Sequence, residues 1–268
     1  MAENNDTKQQ QQQILEEFRE MVLAEKNLTP RVEDAFLLKF LRIWNFDKNK
    51  SLVLKQNYYK LRCDYSHLYK NFSLSSPQMQ ALRQNNMATI LPQPDQHGRL
   101  ISVVRLGNWD TTLSNFDDLF VSLHMTLEVI IEDNLQAQLN GIVSIIDFEG
   151  ISFQHVKQFG PANINRTITL IERSMPIWFH QFHFVNDNAM FKIIYTLLLP
   201  FLTKSMRERI FLHGRNLESL YKHVNRDNLP QELGGLQPPL DNSALVEKLY
   251  EYEEYLQKLN SFGYKQGI

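Results

Sequence analysis

Two short β-branched runs constrain the fold of this chain more than any other feature. "RLISVVRL" spans residues 99–106 and "GIVSIIDFEG" spans 141–150, and the stretch between them, "NFDDLFVSLHMTLEVIIEDNL", has a helical period. Buried strands read as short apolar runs that end in glycine or polar residues. Strand, helix and strand in that order form a crossover unit, whose two strands lie parallel. The alternation continues with a predicted helix from about Pro161 to Arg173, strand-like "FHQFHFVN" at 179–186 and strand-like "RIFLHG" at 209–214. The pattern predicts an α/β domain with a mostly parallel sheet.

Up to about residue 72 the period is helical throughout. "NLTPRVEDAFLLKFLRIWNF" sets Phe36, Leu37, Phe40 and Leu41 at helical spacing, with Thr29 predicted as N-cap and Pro30 at the first helical position. Asp47 is placed to cap the next helix. The glutamine run Gln9–Gln13 reads as the start of a helix, and a last amphipathic helix is predicted from about Ser243 to Leu259.

One segment does not fit an ordinary amphipathic helix. "FKIIYTLLLPFL", residues 191–202, has only Lys192 and Thr196 as polar residues. It is too short to cross a bilayer, which takes roughly 18 apolar residues, so something else must cover its second face. The next segment is basic: Lys204 to Arg226 holds six cations and two acids, whereas Asp227 to the end holds seven acids and three lysines. An apolar helix followed by cations describes a surface suited to a membrane with anionic head groups.

Catalytic signatures are missing. The chain has no G-x-S-x-G, G-x-G-x-x-G, P-loop, H-E-x-x-H or C-x-x-C string, so we expect neither an enzyme nor a cofactor. Asp147 and Glu149, at a strand end, read as loop and capping residues. His180 and His183 fall on opposite faces of a strand and cannot share a metal through it; His124 reads as a core histidine, and no metal site is expected. A formal charge of −2 argues against nucleic acid, and the single cysteine, Cys63, excludes an internal disulfide. With no apolar signal-peptide core at the N-terminus, the expected location is cytoplasmic with peripheral membrane association.

The strings "DAFLLKFLRIWNFD", "NYYKLR", "GIVSIIDFEG", "VNDNAMFKIIYTLLLPFLTKSMRERIFLHG" and "LPQELGG" occur in this order between about residues 30 and 240. In this respect the chain resembles the CRAL-TRIO (Sec14-like) lipid-transfer family, in particular its α-tocopherol transfer and retinaldehyde-binding branch. The resemblance implies an α/β fold in three parts. These are a helical N-terminal domain (1–75), a CRAL-TRIO lipid-binding domain (76–240) whose sheet floors a lipid cavity closed by a helical lid, and a C-terminal helix (241–268).

The resemblance also implies that the apolar run is the lid, with one side toward bound lipid and the other able to enter a bilayer. Asn186, Asp187 and Asn188 are placed as a hinge, and Pro200 as the stop. Met190, Phe191, Tyr195 and Leu197 are expected as lid and membrane residues, with Phe191 and Leu198 on the membrane-facing stripe. Candidate lipid-binding residues are Met125, Ile142, Ile146, Met175, Phe182, Ile194 and Leu198. Of these, Ile142, Ile146, Met175 and Phe182 match lining positions of the family.

A basic phosphoinositide site is implied at Arg62 and Arg209, with Lys204 and Arg207 nearby. Trp178, His180 and Ser205 stand at three other positions where the family has cations; Trp178 and Phe179 are candidates for interfacial anchoring. The expected function is binding and membrane-to-membrane transfer of a hydrophobic small molecule, an isoprenoid such as a tocopherol, retinoid or carotenoid, with release at phosphoinositide-containing membranes. The alternative is a phosphoinositide sensor or adaptor in membrane traffic.

Overall fold

The computed structural model describes residues 2–70 and 72–265, with the side chains of residues 2–7 and 85 left aside. Residues 1, 71 and 266–268, which fall within the expected N-terminal domain and C-terminal helix, lie outside the described residues.

The chain opens with a long helix, Ala2–Leu23, that carries the exposed glutamine run. Strand β1 (Leu28–Thr29) follows, then helices Asp34–Ile43 and Lys48–Asp64. Asp47 caps the latter, its carboxylate accepting from the backbone N–H groups of Asn49 and Lys50. Thr29 is not the cap of the preceding helix. It pairs with Gly263 in a small antiparallel sheet against β7 (Gly263–Tyr264), and the helix starts five residues later, at Asp34 behind Glu33. Long-range pairing to the far end of the chain overrides the local Thr-Pro signal here, and the Tyr59 hydroxyl accepts from the Arg31 N–H in the same stretch.

The main sheet has five strands in the order β2 (Ala88–Ile90), β3 (Leu100–Arg105), β4 (Ile142–Asp147), β5 (Phe179–Val185) and β6 (Ile210–Gly214). All neighbours are parallel except β2, an antiparallel edge strand that is too short to stand out in the sequence. Because strand side chains alternate, the sheet has two distinct faces. Ile142, Ser144 and Ile146 point to one side, and Val143 and Ile145 to a second apolar cluster with Ile101, Val103 and Val185 on the other.

The larger cluster is continuous from Leu15 and Phe18 in the first helix, through Phe120 and Ile142, to Leu259. The helical N-terminal part and the C-terminal segment therefore share one core with the front of the sheet. The C-terminal helical stretch breaks at Tyr252 into helices Ser243–Glu251 and Glu253–Lys258.

Candidate lipid cavity and lid

The front of the sheet floors a cavity of about 260 Å³. Its walls are helix Phe116–Asp133, which contributes Leu119, Leu123, Leu127 and Ile130 at three- and four-residue spacing, and helix Pro161–Thr169 with the turn after it, which contributes Ile164, Ile168 and Ile171. Among the described residues no charged side chain lines it. The polar lining consists of hydroxyls: Thr89, Ser102, Ser122, Thr126, Ser144, Thr167 and Tyr195.

A register shift in the β4–β5 pairing sets Ile142 opposite Phe179 and Val143 opposite Gln181. The skipped residue, His180, lets both Phe179 and Phe182 face the cavity, with their rings stacked 5.6 Å apart.

Helix Ala189–Leu198 roofs the space. Asn188 caps it, the side-chain oxygen accepting from Met190 N–H at 2.9 Å and Phe191 N–H at 3.1 Å. Just before the cap, Asn186 adopts φ 54°, a left-handed conformation that asparagine tolerates better than most residues. Its side-chain amide donates to Asp147 at 2.8 Å, and that of Asn188 donates to the Phe148 carbonyl at 3.2 Å. The α-helix ends two residues before Pro200 and continues as a 3₁₀ turn, Leu199–Phe201. Side chains Phe191, Ile194, Tyr195 and Leu198 of this helix line the cavity. Lys192 and Thr196 point to solvent, and Met190 and Leu197 lie half-buried beside Ile193, which is 42% exposed.

Of the candidate lipid-binding residues, Ile142, Ile146, Phe182, Ile194 and Leu198 line the cavity. Met125 and Met175 do not; both are 2% exposed and packed in the surrounding core. Helix Phe116–Asp133 is buried on two faces, and Met125 lies on the one turned away from the cavity, with His124 and Glu128. Near Met175, it is Ile171 that reaches the cavity. The stripe of Phe191, Tyr195 and Leu198 faces inward, so the outward apolar stripe is Met190, Ile193 and Leu197. Lid polarity is a matter of rotation about the helix axis, and a helix apolar on nearly every side carries little sequence signal for it.

The expected cations separate into two groups. Arg62 is 5% exposed; its guanidinium donates to Asn260 Oδ1 at 3.0 Å, lies 4.8 Å from the Tyr69 ring centre and faces Glu128 at 3.8 Å. Arg209 donates to both oxygens of Glu172, at 2.7 and 2.8 Å, and also to the carbonyls of Phe179 and Ser205. Both arginines are thus occupied by protein partners, and they share none, which corrects the expectation of one open phosphate cradle between them. Lys204 and Arg207, on helix Lys204–Glu208 just after the lid, remain at the surface; Arg207 donates to the Leu199 carbonyl at 2.8 Å.

Ser205 is exposed and His180 half-buried. Trp178 is 41% exposed, with the Arg209 guanidinium 5.6 Å from its ring centre, while Phe179 is buried in the cavity wall.

Behind the wall helix lies a polar cluster that the sequence reading missed. His124 Nδ1 shares a 2.7 Å hydrogen bond with the Tyr69 hydroxyl, and its Nε2 lies 3.3 Å from Glu128. Burial pushes the His124 imidazole below its ordinary pKa; it would also raise the Glu128 carboxyl, but His124 and Arg62 hold that group below the usual range. A second missed cluster lies on the back of the sheet, where His183 Nδ1 is 2.9 Å from His213 Nε2 and the His223 ring is 5.1 Å away. Among the described residues no group of histidines, cysteines and carboxylates is arranged to hold a metal ion, and no helix is long and apolar enough to cross a membrane.

The comparisons agree with this architecture. Residues 84–235 match the CRAL/TRIO domain. Clavesin-1 of Xenopus laevis is 33% identical over 250 residues, covering 93% of this chain and 74% of the relative. Clavesin-2 of Homo sapiens is 32% identical over 254 residues, covering 94% and 76%. The crystal structure of Sfh5 superposes with a TM-score of 0.51 at 12% identity, covering 92% of this chain and 97% of that one, a likeness of fold alone. With its mostly parallel sheet, apolar cavity and roofing helix, the chain belongs to the CRAL/TRIO family of lipid-binding proteins.

Proposed function

We propose that this protein carries one uncharged hydrophobic molecule of isoprenoid type, such as a tocopherol, retinoid or carotenoid, and exchanges it at membranes from the cytoplasm. The observation that carries this reading is the cavity: apolar but for a few hydroxyls, uncharged in its described lining and covered by a helix that follows Asn186 in a left-handed conformation. Burial of apolar ligand surface contributes affinity at about 25 cal/mol per Å², and the enclosing walls exclude water.

Release would follow movement of helix Ala189–Leu198 about Asn186–Asn188. The half-exposed stripe of Met190, Ile193 and Leu197 enters the apolar interface, while Lys204 and Arg207 meet anionic head groups, phosphoinositides among them. The expected domain limits of 1–75 and 76–240 remain part of this proposal.

Organic extraction of the purified protein followed by mass spectrometry tests the reading. A stoichiometric neutral lipid is the expected result. A phosphoinositide as the sole occupant would overturn it in favour of a sensor or adaptor.

A further inference from the structure

Both central strands carry one serine at matched positions of otherwise apolar runs, in "ISVV" and "VSII". Ser102 on β3 and Ser144 on β4 are direct register partners. Residues in register on adjacent strands share a face, and both serines line the cavity with Ser102 Oγ 2.8 Å from Ser144 Oγ. Ile142 and Ile146 lie on either side of Ser144 on the same face, and Phe182 is its neighbour on β5.

Two hydroxyls hold two hydrogens, and the bond between them uses one. The other has no acceptor among the hydrogen bonds of the described residues, whichever serine donates. With Ser102 donating to Ser144, the spare hydrogen is that of Ser144, which is 6% exposed and lines the cavity, so it does not point into bulk water. Thr89 and Thr167 differ, donating to the carbonyls of Asp241 and Asn163 and so satisfied within the protein. Ser122, Thr126 and Tyr195 also line the space without an acceptor among the described residues, but each is less buried than Ser144 and none is paired to a second hydroxyl. A buried donor without a partner is costly, and the space in front of it is where a guest would lie.

We propose that the Ser102–Ser144 pair is the polar anchor of the cavity and selects a neutral lipid bearing a hydroxyl or carbonyl oxygen. The ligand oxygen accepts the spare hydrogen, and a ligand hydroxyl can also donate to a lone pair of the serine oxygens. An ionised carboxylate or phosphate is disfavoured, since no described lining residue supplies a counter-charge. This inference rests on the cavity being the ligand site, as proposed above.

The test uses three probes with one C20 isoprenoid skeleton: phytol, phytanic acid and phytane. Partitioning of each radiolabelled probe from phosphatidylcholine vesicles to the full chain is measured for the wild type, Ser102→Ala, Ser144→Ala and the double variant. Wild type takes up phytol more readily than phytanic acid. The double variant loses phytol affinity by about tenfold, worth about 1.4 kcal/mol, with phytane changed by less than twofold; each single variant loses part of this.

The double variant also melts no lower than wild type, because an unsatisfied donor has been removed. Equal loss for all three probes with a lower melting temperature would make the pair structural and overturn the anchor. Unchanged phytol binding would overturn it while leaving the carrier reading intact. Failure of wild type to bind any of the three probes would overturn the isoprenoid-carrier reading itself, and the anchor with it.

Discussion

The two faces of helix Phe116–Asp133 are both buried and opposite in chemistry. Toward the sheet it presents Leu119, Leu123 and Leu127 and the hydroxyls of Ser122 and Thr126, with no charge. Away from the sheet it presents His124, Met125 and Glu128; His124 meets Tyr69 and Glu128 meets Arg62, both from the N-terminal helices. Glu132 continues the second face, receiving Lys39 and the Tyr255 hydroxyl. A buried charge is tolerable where the chain itself supplies its partner. A cavity that fills and empties cannot keep such a partner in place, and a hydroxyl is then the polar group that costs least when left alone.

The largest expected effect breaks this comparison on its polar side. Arg62→Met leaves Glu128 without its nearest fixed cation and should destabilise the fold by about 3–5 kcal/mol, read as a shift in urea midpoint at constant slope. Arg62→Met combined with Glu128→Leu should recover much of the loss. If the double variant is no better than the single one, the pairing is not what matters there.

Next in size is an effect of pH on strand β5, which has the same two-sided character, with Phe182 and Phe184 in the cavity wall and His183 behind. Burial, then His213, His223 and Arg99, push His183 down to about 3 from an ordinary 6.5. Between these values the unfolded chain binds a proton that the folded chain refuses, so stability falls as pH falls through this window. The contribution between pH 6.5 and pH 5 is about 2 kcal/mol. Denaturation of His183→Phe at the two pH values should show a smaller acid loss than wild type, and an identical loss would remove His183 as its source.

A smaller effect is expected on the cavity side. Leu123→Ala should cost about 1–2 kcal/mol, below the roughly 2–5 kcal/mol of a leucine packed on all sides, because it already borders open space. Ligand binding should weaken more visibly than stability. A full packed-core penalty with unchanged binding would mean that this face is ordinary core.

The smallest effect concerns the lid exterior. Ile193→Ser should leave melting and equilibrium binding unchanged and slow vesicle-to-vesicle transfer by about two- to fivefold, through lost apolar insertion. Unaltered transfer would indicate that the membrane is met elsewhere.

The longer strands, the Asp47 cap and the Pro200 stop were legible because each depends on residues close in sequence. Ile142, Ile146 and Phe182 came from the family resemblance, and the alternation of side chains along β4 and β5 is what sets them on the cavity face. Met125 and Met175 were misplaced, because a helix or turn surrounded by apolar neighbours gives no sign of which face meets open space. Arg62 was misplaced for a related reason: its partners Glu128 and Asn260 come from distant segments, and the sequence around it suggests only a cation at the end of a helix. His183 and His213 likewise meet because β5 and β6 pair, and His223 joins them from the turn segment that follows β6.

The sequence by itself determined the order of the main strands and helices, the apolar helix that ends near Pro200, and the absence of familiar catalytic strings. These follow from periodicity, backbone preference and residue type, all of which act over a few residues. Tertiary structure decided which face of each helix borders the cavity, which arginines are enclosed, and that two serines from separate strands share one hydrogen bond. Those outcomes depend on long-range register and on the rotation of packed helices, where the free energy lies in contacts between segments that no local pattern encodes.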